Sequence, residues 1–169
     1  VSYMLIDRKI RGLALSLSVS KNITMANIDN LGTGFFIDKK LERHKSSKWV
    51  SDVKIKTPSL NIDVNSLSGG NQQKMVAARE MSRPLRLLIA SQPTRGIDVG
   101  SIEFIHQRLL QARDDGKAVL LISADLEEIL SISDRIAVMY EGQIVSILEP
   151  AEATEARIGI MMTGGLLTD

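Results

Sequence analysis

The pattern of apolar and polar positions changes near Pro84. After it, Leu85–Ala90 and Ala118–Ile122 are short apolar runs without a polar interruption, as expected for buried strands. Between them, apolar residues recur at helical spacing from Ser101 onward, and Gly116 is a natural C-terminal stop. The second half of the chain is therefore predicted to alternate between strands and helices.

The remainder of this half continues the alternation. Residues 126–130 predict a short helix, and residues 151–162 predict a terminal helix that ends before Gly164. Arg135–Tyr140 and Gln143–Leu148 flank a Glu-Gly turn and predict a hairpin. Together these elements predict an α/β fold, with a parallel sheet that has an antiparallel edge.

The first half is predicted to be mainly helical. Alternation from Leu13 to Val19 fits a strand, or a loop followed by a helix over 20–28. Asp38 is a good N-cap for a helix to about Val50, and another helix is predicted from Ser68 to Arg83. Residues 1–6 fit a strand.

Composition narrows the function classes. The 169 residues are 44% apolar and 24% charged, which is typical of one soluble globular domain. No apolar run approaches the roughly 20 residues of a membrane helix. The chain has no cysteine and only His44 and His106 as histidines, so the sequence predicts no disulfide and no metal site.

Charge is divided unevenly. Residues 1–83 carry 14 basic and 7 acidic side chains, whereas residues 84–169 carry 7 and 13. An excess of basic side chains in one half is typical of a protein that binds nucleic acid or an anionic membrane, and also of an ordinary solvated surface. The densest basic stretch, Lys39 to Lys48, has only Trp49 beside it as an aromatic residue, so we favour a solvated surface and expect no nucleic-acid partner.

The sequence from Leu67 to Lys74, Leu-Ser-Gly-Gly-Asn-Gln-Gln-Lys, lies where a loop becomes a helix. Ser68 can cap this helix, while Gly69 and Gly70 remove side chains from its first turn. The exposed amides and the helix dipole then favour a bound anion such as phosphate. The simpler alternative is a serine N-cap with a glycine-rich entry.

Two later segments favour the phosphate-binding interpretation over a plain serine N-cap. Gln92 to Gly100 follows the first apolar run, and Ser123-Ala-Asp125 follows the second. This order resembles the nucleotide-binding domain of ABC (ATP-binding cassette) transporters, in particular the tandem ATPases that drive uptake of simple sugars and nucleosides. Further similar segments are Asp7-Arg8, Arg11-Gly12-Leu13, Ser133 to Ile136 and Ile158 to Gly165. Resemblance to the nucleoside importers rests on Ile102 to Leu109 and Met139 to Gly142.

The resemblance implies a partial P-loop NTPase core, of the ABC ATPase type, with a mainly helical signature subdomain. Residues 1–13 would be a core segment, residues 14–84 the signature subdomain, and residues 85–169 the α/β core with a Walker B-like strand, a D-loop and a C-terminal helix. No Gly-x-x-x-x-Gly-Lys-Ser/Thr sequence is present. Because the chain begins at Val1 without a methionine, we expect a fragment of a longer protein whose P-loop lies upstream.

Other departures from the family lie inside the chain. Ser91 and Gln92 stand where a metal-supporting Asp and a catalytic Glu are expected, and Ala124 replaces the switch histidine. Leu5-Ile6 replaces the usual Pro-Glu before Asp-Arg. We therefore expect no catalytic residue and no metal ligand in this chain, and negligible hydrolysis by it alone.

The signature is intact, so the resemblance implies a one-sided role. Ser68, Gly69, Gly70 and Gln72 would contact ATP with Mg²⁺ that is held mainly by a partner domain. That partner would be the N-terminal nucleotide-binding domain of the same full-length chain. Asp98 in the D-loop is a further candidate at this interface, and the simpler alternative is that it caps the following helix.

The expected assembly is an importer at the cytoplasmic face of the cell membrane, bound peripherally to transmembrane permease subunits and indirectly to a substrate-binding protein. It would couple ATP hydrolysis to uptake of nucleosides or simple sugars. Two alternatives remain: a non-catalytic structural or regulatory domain, and an ABC ATPase domain of a non-transport protein that acts on ribosomes or DNA.

Overall fold

The computed structural model of the chain describes residues 1–4, 12–33 and 36–165. The similar segments at Asp7-Arg8 and Arg11, and the departure at Leu5-Ile6, lie outside the described residues. Contacts between Cα atoms divide the chain into two compact units, Val1–Ile122 and Ser123–Asp169. Each unit is described by itself.

The first unit contains four helices and five strands in its described part. In chain order they are β1 (Ser2–Met4), α1 (Val19–Thr24), β2 (Gly32–Thr33), β3 (Phe36–Ile37), α2 (Lys39–Asp52), α3 (Gly69–Met81), β4 (Leu87–Ser91), α4 (Val99–Asp114) and β5 (Ala118–Ile122). Short 3₁₀ segments cover Met25–Asn30 and Val64–Ser66. The predicted helices that begin after Asp38 and Ser68 are confirmed, and each is capped by that side chain.

The sheet of this unit is parallel, with β4 between β1 and β5. Its buried side includes Met4, Leu88 and Ala90, and the core continues through Ile105 of α4. Helix α3 packs against β1, and α4 packs against β5. The carboxyl ends of β4 and β5 therefore lie at one edge, followed by the segments that the sequence singles out.

The prediction of a buried strand at Ala118–Ile122 is wrong in one respect. The strand forms, but Leu120 is 50% exposed and Ile122 is 46% exposed. Among the described strands, β5 pairs with β4 alone, as the outer strand of the three, and alternate residues point away from the face that α4 covers.

The described part of the chain before Pro84 is mainly helical, as predicted, although it also contains the short strands β1, β2 and β3. The expected helix over 20–28 is split into α1 and the 3₁₀ segment Met25–Asn30. Before α1 the chain is a loop, held by Asn22, whose buried side chain bonds both the N–H and the C=O of Ala14 at 2.9 Å. Since α3 contacts α1, α4 and β1, this helical region and the sheet belong to one compact unit. The proposed subdomain boundary at residue 84 stays a prediction.

The second unit contains α5 (Leu126–Ile132), β6 (Ile136–Tyr140), β7 (Gln143–Leu148) and α6 (Glu155–Met162). The predicted hairpin is confirmed, with Glu141 and Gly142 both at positive φ in its turn. Its predicted place at the edge of the parallel sheet is wrong, because β6 and β7 form a two-stranded sheet of their own among the described residues. One side of this hairpin is buried against α6 through residues 136, 138, 148 and 158.

None of the described helices combines the length and hydropathy that a membrane-spanning helix needs, the longest being α4 with 16 residues.

Candidate functional site

The N-terminus of α3 carries the signature sequence. Ser68 has an extended backbone, and its Oγ accepts hydrogen bonds from the Asn71 amide N at 3.4 Å and from Asn71 Nδ2 at 3.0 Å. The Ser68 side chain is exposed. With 13 residues, α3 has a full helix dipole, and its first amides lack intrahelical partners. This end of the helix can therefore attract an anion, as the sequence predicts.

Gly70 has a structural role that sequence analysis did not find. It is buried, and a Cβ atom at this position would overlap Asp98 Oδ2 and Ser101 Oγ. The missing side chain lets the first turn of α3 approach the start of α4. The space beside Gly70 is thus filled by this chain's own residues.

Asp98 is the N-cap of α4, which is the contact that the simpler alternative predicts, and its role at an interface stays a prediction. Its Oδ1 accepts from the Ser101 amide at 3.0 Å, and its Oδ2 accepts from Ser101 Oγ at 2.9 Å. These two bonds lower the pKa of Asp98 below its usual value, and the charge of Lys74 contributes less. The carboxylate is therefore ionised at neutral pH, and its negative charge lies beside the first turn of α3.

Gln72 faces the interior of the unit. It is 3% exposed, and its Nε2 donates to the Val64 carbonyl at 3.2 Å. Its Oε1 is buried with no hydrogen-bond partner among the described residues. In this conformation Gln72 fastens α3 to the 3₁₀ segment before it, so the predicted contact with ATP would require its side chain to turn outward.

One turn further along, cation–π contacts on the ring of Phe104 link α3 to α4. Lys74 Nζ and Arg108 Cζ lie 5.1 and 5.2 Å from the centre of the Phe104 ring. Arg108 also donates to the backbone carbonyl of Asp52 at the end of α2. Phe104 and Arg108 are four residues apart on one helix, and this spacing is the signal that could have predicted half of these contacts.

Ser91 and Gln92 lie where β4 ends. The Gln92 amide donates to the Ile122 carbonyl at 2.7 Å, which extends the pairing of β4 with β5 by one residue. Gln92 has a φ of 48°, a left-handed conformation that costs a residue with a side chain roughly 1–2 kcal/mol. Ser91 and Gln92 bring no carboxylate to this strand end, so they do not fit a Mg²⁺ site of the Walker type. The third departure, Ala124, is exposed and belongs to the second unit.

No group of three or more histidine, aspartate and glutamate side chains in residues 1–4, 12–33 and 36–165 could hold a metal ion.

The chain is similar in sequence to ATP-binding proteins of import systems. No family model matches it. It is 45% identical over 166 residues to the nucleoside import ATP-binding protein NupA of Lactococcus lactis subsp. cremoris, covering 96% of this chain and 33% of that protein. It is 43% identical over 160 residues to the guanosine import ATP-binding protein NupO of Bacillus subtilis, with 94% of this chain and 31% of that protein covered. The glucose import ATP-binding protein TsgD13 of Haloferax volcanii is 43% identical over 169 residues, with 98% and 31% covered. The chain thus spans about a third of the length of these relatives.

Solved structures agree on the fold. The dimeric ATP-binding cassette MJ0796, in a post-hydrolysis state bound to ADP and Pi, matches with a TM-score of 0.74 and 21% identity, over 88% of this chain and 62% of that one. A putative metal-chelate type ABC transporter in an inward-facing conformation matches with a TM-score of 0.75 and 14% identity, over 96% and 62%. The predicted fold class, an ABC ATPase core of the P-loop NTPase type, is confirmed.

Proposed function

Because this chain belongs to the ABC ATPases of sugar and nucleoside importers, we propose that it is a C-terminal ATP-binding-cassette domain whose signature helix completes the ATP site of a partner domain. In this proposal residues 1–13 and 85–169 form the core, and residues 14–84 form the signature subdomain. The partner is the N-terminal cassette of the same full-length chain. ATP with Mg²⁺ would be held mainly by that partner, and its hydrolysis would supply the energy for uptake.

One observation carries the one-sided part of the proposal. The capped, exposed N-terminus of α3 fits an anion, whereas Ser91 and Gln92 give the end of β4 no carboxylate. An amide cannot take a proton from water near neutral pH, and a serine hydroxyl supports Mg²⁺ far less well than a carboxylate. The chain's own residues can thus orient a phosphate held by another domain better than they can cleave it.

The contacts of the candidate residues divide their proposed roles. Ser68 is exposed and can reach a phosphate directly, together with the amide of Gly69. Gly70 and Asp98 hold α3 against α4, so we propose that they position the helix end. Gln72 fixes α3 to Val64 until its side chain turns outward.

The names of the relatives support a proposal about the wider assembly. Nucleoside, guanosine and glucose import are the activities that their names state. We propose that this chain serves such an importer, on the cytoplasmic face of the membrane beside transmembrane permease subunits and, through them, a substrate-binding protein. The solute would be a nucleoside or a simple sugar.

A second candidate function is a structural domain that never contacts nucleotide. The observation in its favour is the ionised Asp98 beside the first turn of α3, because a fixed negative charge there opposes the approach of a phosphate. In the full-length protein, Ser68→Ala and Asp98→Asn separate the two candidates. If α3 binds nucleotide, Ser68→Ala slows hydrolysis at the partner's site. If the domain is structural, the hydrolysis rate is the same for both variants and the parent protein.

A further inference from the structure

A basic cleft lies in the first unit, away from the signature sequence. It is an open cleft with a volume of about 950 Å³, bordered by α1, one side of α2 and the loop over residues 57–61. Among the described residues that line it, five are cationic, namely Lys21, Lys39, Lys40, Arg43 and Lys54, and one, Glu42, is acidic. The lining therefore carries a net charge of +4.

These cations are not neutralised inside the described chain. No ion pair in residues 1–4, 12–33 and 36–165 involves any of the five. Glu42 is itself engaged, since its Oε1 accepts from Thr24 Oγ1 at 3.2 Å. On α2, Lys39 and Lys40 are four and three residues before Arg43, so their like charges repel on neighbouring positions of the helix. A bound anion would remove this repulsion.

Lys54, one of the five cations, has an unusual backbone conformation. It follows the end of α2 at a φ of 51°, in the left-handed region, while the Ile55 amide bonds the Val50 carbonyl at 2.9 Å. Glycine is the residue that relieves strain at this position of a helix end. The chain instead holds a strained lysine there, with its side chain in the wall of the cleft. Strained residues of this kind cluster at ligand sites.

The chemistry of the lining selects the class of ligand. Besides its lysine and arginine side chains, the lining carries hydroxyl and amide groups, including those of Ser47, Ser51 and Asn61. Charged donors together with hydroxyl donors suit phosphate oxygens. None of the described residues that line the cleft is aromatic, so this lining offers no aromatic ring on which a nucleobase could stack.

We propose that this cleft binds a small anion with two or more phosphate groups, either free in solution or as the headgroup of an anionic lipid. The net charge of the lining and the size of the cleft exceed what one phosphate needs. The site is separate from the signature helix, and the proposal does not depend on the transport function.

The test uses the 169-residue chain and sodium tripolyphosphate as the probe. Calorimetric titration should show saturable one-to-one binding. Lys54→Gly should weaken that binding about threefold to tenfold, as expected for the loss of one charge contact. Its melting temperature should be no lower than that of the parent chain, because glycine adopts the left-handed conformation without strain. Lys48→Gln is the matched control, since Lys48 is exposed on α2 but outside the lining, and it should leave binding unchanged.

Vesicles distinguish the two sources of phosphate. The chain is mixed with vesicles of phosphatidylcholine alone or with added phosphatidic acid, and sedimented. Binding of tripolyphosphate without recruitment assigns a free ligand, whereas recruitment that depends on phosphatidic acid and on Lys54 assigns a headgroup. The proposal is overturned if neither occurs, or if Lys48→Gln weakens binding as much as Lys54→Gly.

Discussion

Gly70 lies so close to Asp98 that a single added carbon at residue 70 would overlap the Asp98 carboxylate. Gly70 belongs to the signature sequence and Asp98 to the D-loop that follows β4. The same carboxylate caps α4 through Ser101. In this chain the two segments are therefore packed directly against each other. A displacement of the start of α4 would change the packing at the start of α3.

Gly70→Ala should destabilise the first unit. The new methyl group meets the ends of the exposed Asp98 and buried Ser101 side chains and displaces their capping bonds, and loss of an N-cap costs about 0.5–2 kcal/mol. Chemical denaturation of the 169-residue chain measures the loss. Gly159→Ala is the control, because none of the described residues lies within 4 Å of a Cβ at this position in α6 and alanine is the better helix former. Equal stability of the two variants would show that the contact with Asp98 carries no strain.

Asp98→Ala should lower stability at neutral pH, whereas Asp98→Asn should retain most of it, because an amide oxygen still caps α4. The pKa of Asp98 is lowered in the folded state, so its carboxylate stabilises the fold fully above the unfolded value of 3.8. That contribution is lost as the pH falls through the lower folded pKa. Thermal denaturation of parent and alanine variant from neutral to acidic pH should show a difference that shrinks only in this acidic range. A difference independent of pH would exclude the charged cap.

The 169-residue chain alone should bind Mg-ATP weakly and hydrolyse it negligibly. It contains no P-loop sequence and no carboxylate at Ser91 or Gln92. Calorimetric titration and phosphate release measure both properties. Micromolar affinity with steady phosphate release from the pure chain would contradict the one-sided account.

Gln92→Glu in the full-length protein should leave the hydrolysis rate unchanged. The new carboxylate would stand at the end of β4, but Ser91 and Ala124 would still lack the metal-supporting and switch side chains. Gln92→Ala is the companion variant and should also change the rate little. A rate that doubles with Gln92→Glu would mean a second working site.

Much of the fold is predictable because its signals are local. Asp38 and Ser68 are strong N-caps, and the Glu-Gly turn sets the hairpin between β6 and β7. The exposure of Leu120 and the separate sheet of β6 and β7 are not predictable in this way. They depend on which elements cover a strand, and apolar runs alone do not specify that.

The candidate site likewise has features that are predictable from the sequence and features that are not. The N-cap of α3 by Ser68 and the N-cap of α4 by Asp98 are both predictable from the local sequence. The approach of Gly70 to Asp98 joins residues 28 positions apart, and the burial of Gln72 against Val64 depends on packing. Both arise from tertiary contacts, for which a glycine or glutamine in the sequence gives no separate signal.

The most direct test of the central claim measures ATP hydrolysis by the full-length protein that carries Ser68→Arg. Arginine at the exposed helix end would fill the place proposed for the partner's phosphate, so we predict a rate about 10²-fold lower, the scale of a lost transition-state contact. Ser131→Arg, at an exposed serine on α5, adds the same charge elsewhere and should leave the rate unchanged. An unchanged rate with Ser68→Arg, in a protein that still folds and binds ATP, would contradict the claim that α3 completes the partner's site.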